Sequence, residues 1–577
     1  MRLPKPLLPE WDALEWARMP FPERARMACQ SFAVQGWGSP AGVYVFYALK
    51  IALYIAGWWL FCSFTPGLGN LNTIGHWWLS STAFEKAVLW SMLFEGLGLG
   101  CGSGPLTARY VPPFTAFLHF LRPGTIKRPL FAGVPVFGGY RRTWLDVLLY
   151  AAVNVLLLAA LVSATIPVGL LAPIVGLYLI LALADKTIFL SARGEHYWTA
   201  VTLFVLASNW IPAVKALWLA LWFWAGFSKL NHHFTSVVCV MNSNAPGTAR
   251  MPWLRKRFYR DFPDDLRPSR LASIAHGGVA LEFGVPLMLF LGKGGTVTTI
   301  GLIMMVFLHA FITSNVPAGV PLEWNVMMVY GGFFLFDKHA AASIFSMSPV
   351  SGAFLAVMVV VIPVLGNLFP SRISFLMAMR YYAGNWPYSV WLFKGESYRK
   401  LDKIKKTAAW PPDQVERFYD EATAIAISSK LVGWRLLHLQ GRVMADLVPR
   451  AVEDFEDYTW MDGELVGGMV LGYDFGDGHL MDEELLRAMQ QQCGFADGEL
   501  RVIVVESQPF GRHTVNYRIH DAQTGKLAEG DIDVRALRER QPWESSASAS
   551  AALGAAEPDA DADDERAAER HLQQADA

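Results

Sequence analysis

Long apolar runs broken by short polar stretches fill the chain from about residue 43 to residue 370. The runs fall at 43–64, 83–100, 144–165, 167–187, 198–211, 213–234, 272–292, 296–314, 323–338 and 350–369. A stretch of about 18 or more apolar residues is long enough to cross a bilayer core as a helix. The pattern therefore predicts about ten membrane spans. Two runs are irregular: 83–100 carries Glu85, Lys86 and Glu95, and Pro212 breaks 198–234. Proline inside a helix removes a hydrogen bond and bends or ends it.

The pattern changes after about residue 410. Residues 412–447 repeat as one or two amphipathic helices, and 463–475 and 498–509 read as strands. Residues 513–535 alternate around a turn at Thr524-Gly525, the signature of a hairpin. The expected fold is an all-α polytopic membrane helix bundle with a small C-terminal α+β soluble domain and a disordered tail. Its parts are an amphipathic N-terminal segment (1–42), a transmembrane domain (43–370), a basic linker (371–411), the soluble domain (412–540) and an acidic tail (541–577).

Composition supports the membrane class. Of 577 residues 53% are hydrophobic and only 17% charged, against roughly 25% charged in soluble domains. The formal net charge of −1 gives no ground for a nucleic-acid partner. The five cysteines show neither a CxxC pair nor metal-type spacing, so no metal is expected. The first 40 residues, with Trp11, Trp16, Arg24 and Arg26, read as an interfacial segment rather than a signal peptide. Basic residues gather at 122–142, 250–270 and 372–406. Such clusters mark the cytoplasmic side, which with ten spans puts both termini there, in a multi-pass protein of the cell membrane.

Three polar stretches interrupt the apolar pattern where ionisable groups are costly. The first, at 185–197, holds Asp185, Lys186, Glu195, His196 and Tyr197; its plain reading is a polar loop. The second, at 225–234, holds Lys229, His232 and His233, which on a helix share one face. A desolvated lysine is pushed toward its neutral form and then acts as a base; the alternative is a cationic anchor at the interface. The third, at 309–328, holds His309, Ser314 and Asn315 at the end of one span and Glu323, Trp324 and Asn325 at the start of the next, partly explained as a helix start. His276 and Glu282 lie on a further span, and Asn242, Asn244 and Arg250 follow the second stretch, where they either hold a polar headgroup or face solvent.

In order and type these stretches resemble motifs of the vitamin K-dependent gamma-glutamyl carboxylase and its bacterial relatives, within the horizontally transferred transmembrane (HTTM) superfamily. The matching positions are Asp185-Lys186-Thr187 with His196-Tyr197, Ala225-Gly226 through Lys229-Leu230, and His309, Ser314-Asn315, Gly319, Trp324 and Val326-Met327. The whole chain also resembles a bacterial transmembrane family of unknown function. The resemblance implies a carboxylase- or epoxidase-like enzyme in which Lys229 is the base, His196 steadies an oxyanion and His309 lines the pocket. His232, His233, Asn315, Trp324 and Tyr197 are the expected substrate-binding residues. The implied cofactor is a reduced quinone of the vitamin K or menaquinol type, and the implied partners are membrane lipids and a lipophilic small molecule. Ser-Asn replaces the family's Asn-Ser order, and the carboxylase's large β-rich domain is not evident. Two other readings stand beside the enzyme: a transporter or lipid-handling protein, and a membrane anchor whose 412–540 domain takes a protein partner. A di-iron enzyme is not expected, because only His232 and His233 are adjacent.

Overall fold

The computed structural model describes residues 4–100, 104, 109, 116–315, 321–373, 383–473 and 478–546. Its helices include α1 (Phe21–Gln35), α2 (Ala41–Cys62), α3 (Ser81–Gly96), α4 (Trp144–Val162), α5 (Val168–Ala184), α6 (Gly194–Leu206), α7 (Ile211–Ser228) and α8 (Phe234–Asn244). They continue with α9 (Arg270–Gly292), α10 (Thr296–Ser314), α11 (Leu322–Gly332), α12 (Pro349–Leu368), α13 (Glu421–Leu437), α14 (Met444–Ala451) and α15 (Gly463–Leu471). A short hairpin pairs β1 (Tyr259–Asp261) with β2 (Asp265–Pro268). A five-stranded antiparallel sheet contains β3 (Tyr388–Lys394), β4 (Tyr458–Asp462), β5 (Leu500–Val505), β6 (Thr514–Asp521) and β7 (Gly525–Asp533) in the order β4-β3-β5-β6-β7.

Six described helices, α2, α4, α7, α9, α10 and α12, are long and apolar enough to cross a membrane, and α5 is apolar but only 17 residues long. The expected ten spans are not reached by this measure, for a physical reason. The runs at 83–100, 198–211 and 323–338 form α3 (16 residues), α6 (13 residues) and α11 (11 residues, continued by a π-helical turn over Phe333–Lys338). At 1.5 Å per residue a 13-residue helix is about 20 Å long, short of a hydrocarbon core of about 30 Å. These helices are apolar because they are interior. From Lys86 to Gly96 every side chain of α3 is buried, as are nearly all those of α6.

The bundle has one face on which the sheet unit sits. There Arg142 and Asp185, at the start of α4 and the end of α5, form a fully buried ion pair. Lys127 and Asp146 form another at 2.7 Å, and Arg128 reaches Asp482 at 2.7 Å. The N-terminal helix docks on the same face: α1 buries Cys29, Phe32 and Ala33 in one core with Trp434, Leu436 and Leu437 of α13. Lys430 Nζ ties this contact by donating to the carbonyls of Leu7 and Trp37. Arg255 donates to Val34 O at 2.7 Å, and Arg267 to Glu539 O at 3.0 Å. Lys405 of the third basic stretch donates to Pro123 O at 2.7 Å, so residues from all three basic stretches meet on the face that also carries both ends of the described chain. At the opposite end Lys215, early in α7, donates to the carbonyls of His339, Ala340 and Ala342.

The hairpin expected at 513–535 is the β6–β7 pair, with Val515 facing Ile532 and Ile519 facing Ala528. The strand expected at 498–509 is β5. The stretch at 463–475, read as a strand, is instead helical from Gly463. Asp462 ends β4 and caps α15, its side chain accepting from Glu464 N at 3.0 Å, and Gly472 closes the helix at φ 84°. A cap of this kind favours a helix start whatever the apolar residues behind it prefer. The sheet also takes β3 from the stretch read as basic linker. β3 is buried throughout except Lys394, so it shows no alternation to identify it. The tail from 547 lies outside the described residues.

Candidate functional site

The polar stretches at 185–197 and 309–328 meet inside the bundle through Trp324. Its indole Nε1 donates to His196 Nδ1 at 3.1 Å, and its ring lies edge-on to His309 with centroids 6.0 Å apart. Trp222 of α7 donates from Nε1 to His309 Nε2 at 2.9 Å. An indole nitrogen only donates, so the imidazole nitrogen it meets is an acceptor. His309 therefore carries its proton on Nδ1, which donates to Asn325 Oδ1 at 2.7 Å, and Asn325 Nδ2 donates onward to Pro321 O. Both polar ends of His309 are occupied. His196 differs: with Nδ1 accepting, its Nε2 bears the hydrogen, and that atom is buried with no partner among the described residues. Its neighbour Tyr197 likewise has a buried, unmatched hydroxyl. Buried polar atoms are nearly always matched, so each exception calls for an explanation.

A compact ionic group adjoins this column. Arg193 caps α6 in the left-handed region at φ 47°, and its Nε binds Glu95 Oε1 at 2.7 Å. Glu95 also contacts Glu323, the residue before Trp324. Lys50 of α2 donates to Gly100 O at 2.5 Å. Four helices thus bring four charged side chains together, none more than 4% exposed. Gly100 is required here, because a Cβ would collide with the Glu95 carboxyl and crowd that of Glu323. Sequence reasoning treated Glu95 as a flaw in a span and Glu323 as a helix start, and missed Lys50 and Arg193. The signal was present at Lys50, a charge in the middle of the apolar run 43–64.

Lys229 lies at the end of α7, 7% exposed, two turns past Trp222 on the same helical face. Its Nζ is paired with Glu282 of α9 and also donates to Ala225 O at 3.2 Å. α7 ends at Ser228, so Lys229, His232 and His233 do not share a helical face as the spacing suggested. The two histidines turn toward the C-terminal unit. His233 Nε2 meets Gln508 Oε1 at 2.8 Å, and His232 Nδ1 lies 3.2 Å from Arg538 Nη1. His276 Nε2 bonds Lys229 O at 2.8 Å. Asn315 is buried at the end of α10, with Nδ2 donating to Phe311 O at 2.8 Å. Gly319 lies outside the described residues. Asp185 is held by Arg142 and accepts from the backbone of Arg128 and Thr187, a structural cap. Among the described residues no three His, Cys, Asp or Glu side chains are grouped as metal ligands would be.

Apolar helices of spanning length packed round a buried polar core define a polytopic membrane protein. The chain belongs to the family described as transmembrane protein of unknown function (DUF3556), whose model matches residues 1–551. No curated protein and no solved structure matches the chain. The carboxylase-like resemblance therefore stands on its motifs alone.

Proposed function

We propose that this chain binds a lipophilic molecule with a hydrogen-bond-accepting head, a reduced or oxidised quinone ring, beside His196, as part of a membrane-embedded enzyme of carboxylase or epoxidase type. The observation that carries the reading is the Nε2 of His196, fixed by Trp324, buried and unmatched. An unmet buried donor costs about 1–3 kcal/mol, which a carbonyl acceptor would recover. Lys229 is the base in this reading, and Glu282 must release the amine before it can act. The face bearing the sheet unit is cytoplasmic, because the basic stretches gather there.

The test is mass spectrometry of lipid extracted from the purified full chain after incubation with menaquinone. Wild type retains the quinone, Trp324→Phe retains less and His196→Leu loses it. Equal retention by wild type and His196→Leu, or none by wild type, removes the site. A second reading, transport, is favoured by the charged group of Lys50, Glu95, Arg193 and Glu323 inside the bundle. Solute uptake by proteoliposomes without chemical turnover selects it.

A further inference from the structure

A basic pocket opens on the sheet-bearing face at the foot of α9. It is a shallow, solvent-open depression of about 550 Å³, lined by Lys256, Arg257, Arg260 and Arg270 together with the ring of Phe262. One carboxylate, Asp261, shares the lining. Among the described residues no carboxylate comes within ion-pair distance of Lys256, Arg257 or Arg270, and Arg260 has only Glu539 at 3.9 Å. Instead Lys256 lies over the ring of Phe262 at 5.0 Å and Arg257 over that of Trp253 at 5.3 Å. Lys256 and Arg257 are thus held in place by aromatic faces and left with unspent positive charge.

The setting of the pocket identifies what it takes. Arg270 is the first residue of a spanning helix, and the next turn of that helix exposes Ile274, 74% accessible. Leu281, seven residues on and so on the same face, is also exposed, and Leu287 and Leu291 are exposed further along α9. Trp253, also exposed, sits where tryptophan commonly marks the boundary between head groups and hydrocarbon. A phosphate in the pocket would have its acyl chains beside this apolar strip. Basic pockets at the ends of spanning helices suit anionic lipid head groups.

We infer that this pocket binds the phosphate head group of an anionic phospholipid, with the lipid's chains lying along α9. The shared chemistry is a phosphate anion, and the strip on α9 selects the lipid over the free ion. The site is separate from His196 and its test does not depend on quinone binding.

The detergent-purified full chain is titrated with phosphatidylglycerol, phosphatidylcholine and inorganic phosphate, and bound lipid is counted by native mass spectrometry. Phosphatidylglycerol is expected to bind and phosphatidylcholine to bind at least tenfold more weakly. Removing a cation weakens binding about fivefold, so Lys256→Gln with Arg257→Gln loses roughly 25-fold. Arg260→Gln with Arg270→Gln behaves alike, while Lys526→Gln on the exposed β6–β7 turn changes nothing. The inference is overturned if both double variants bind phosphatidylglycerol as wild type does, or if phosphatidylcholine binds equally. It is also overturned if inorganic phosphate displaces the lipid at equal concentration, which would mark a free-anion site.

Discussion

Asp185 and His196 belong to one polar stretch of sequence, yet they occupy opposite kinds of environment. Asp185 sits at the seam between bundle and sheet unit, and its carboxylate is engaged by Arg142 and two backbone amides. His196 sits within the bundle, one nitrogen engaged and the other without a partner among the described residues. Both are fully buried. Burial alone therefore does not separate the two; what sets His196 apart from Asp185 is a ring fixed by one hydrogen bond with its other nitrogen left over among the described residues. The seam uses charge to join elements, and the core keeps bonding capacity in reserve.

Breaking the seam should produce the largest effect. Arg142→Ala leaves the Asp185 carboxylate buried without its partner, a loss of about 3–5 kcal/mol. Thermal unfolding in detergent should show it as a large drop in melting temperature. A stable Arg142→Ala protein would show that the seam is dispensable, and the contrast with His196 would fail.

Glu282→Gln comes next and separates two roles for Lys229. It should cost about 2–3 kcal/mol of stability, because one side of a buried pair is lost. If Lys229 is a base, the freed amine also raises turnover of a quinol with oxygen in those molecules that remain folded. A variant that is destabilised and shows no gain in turnover assigns Lys229 to the seam's kind of residue.

The most gradual effect, spread over pH, concerns Lys430, a buried seam cation with carbonyls in place of a carboxylate. Desolvation pushes its pKa down from 10.5 to about 7. In the unfolded chain the amine keeps its proton up to about pH 10.4. Between these values the unfolded state binds more protons, so stability rises with pH from about 7 to about 10, and below 7 the full cost of burying the charge is present. Melting curves across that window should rise more steeply for wild type than for Lys430→Met. Parallel curves would mean that the amine is not desolvated.

Much of this was readable from the sequence, and the failures share a cause. Apolar run length reveals the membrane class, and strict alternation reveals the β6–β7 hairpin, because both are local patterns. The short helices α3, α6 and α11 read as full spans in the sequence because an interior helix and a lipid-facing one are equally apolar. β3 was hidden by its burial on both sides, and α15 by a cap at Asp462 that outweighs its β-branched residues. At the candidate site, residue types marked His196, His309 and Trp324, but the hydrogen bonds from Trp222 and Trp324 that fix the two rings are tertiary facts. The end of α7 at Ser228, which parts Lys229 from His232 and His233, has no strong local signal, since neither proline nor glycine marks it.

The packing of α1 on α13 has a consequence for how the molecule is made. Gly433 lets the two helices approach so closely that a Cβ there would meet the Ala28 carbonyl. α1 leaves the ribosome early, whereas α13 follows only after α12, the last of the spanning helices. Earlier segments reach α1 first, Cys239 and Val240 of α8 among them, but the side of α1 that meets α13 has no partner until the whole bundle is in place. A chain stalled before residue 421 would display Phe32 and its neighbours to the quality-control machinery, and the closing of this joint marks a finished molecule.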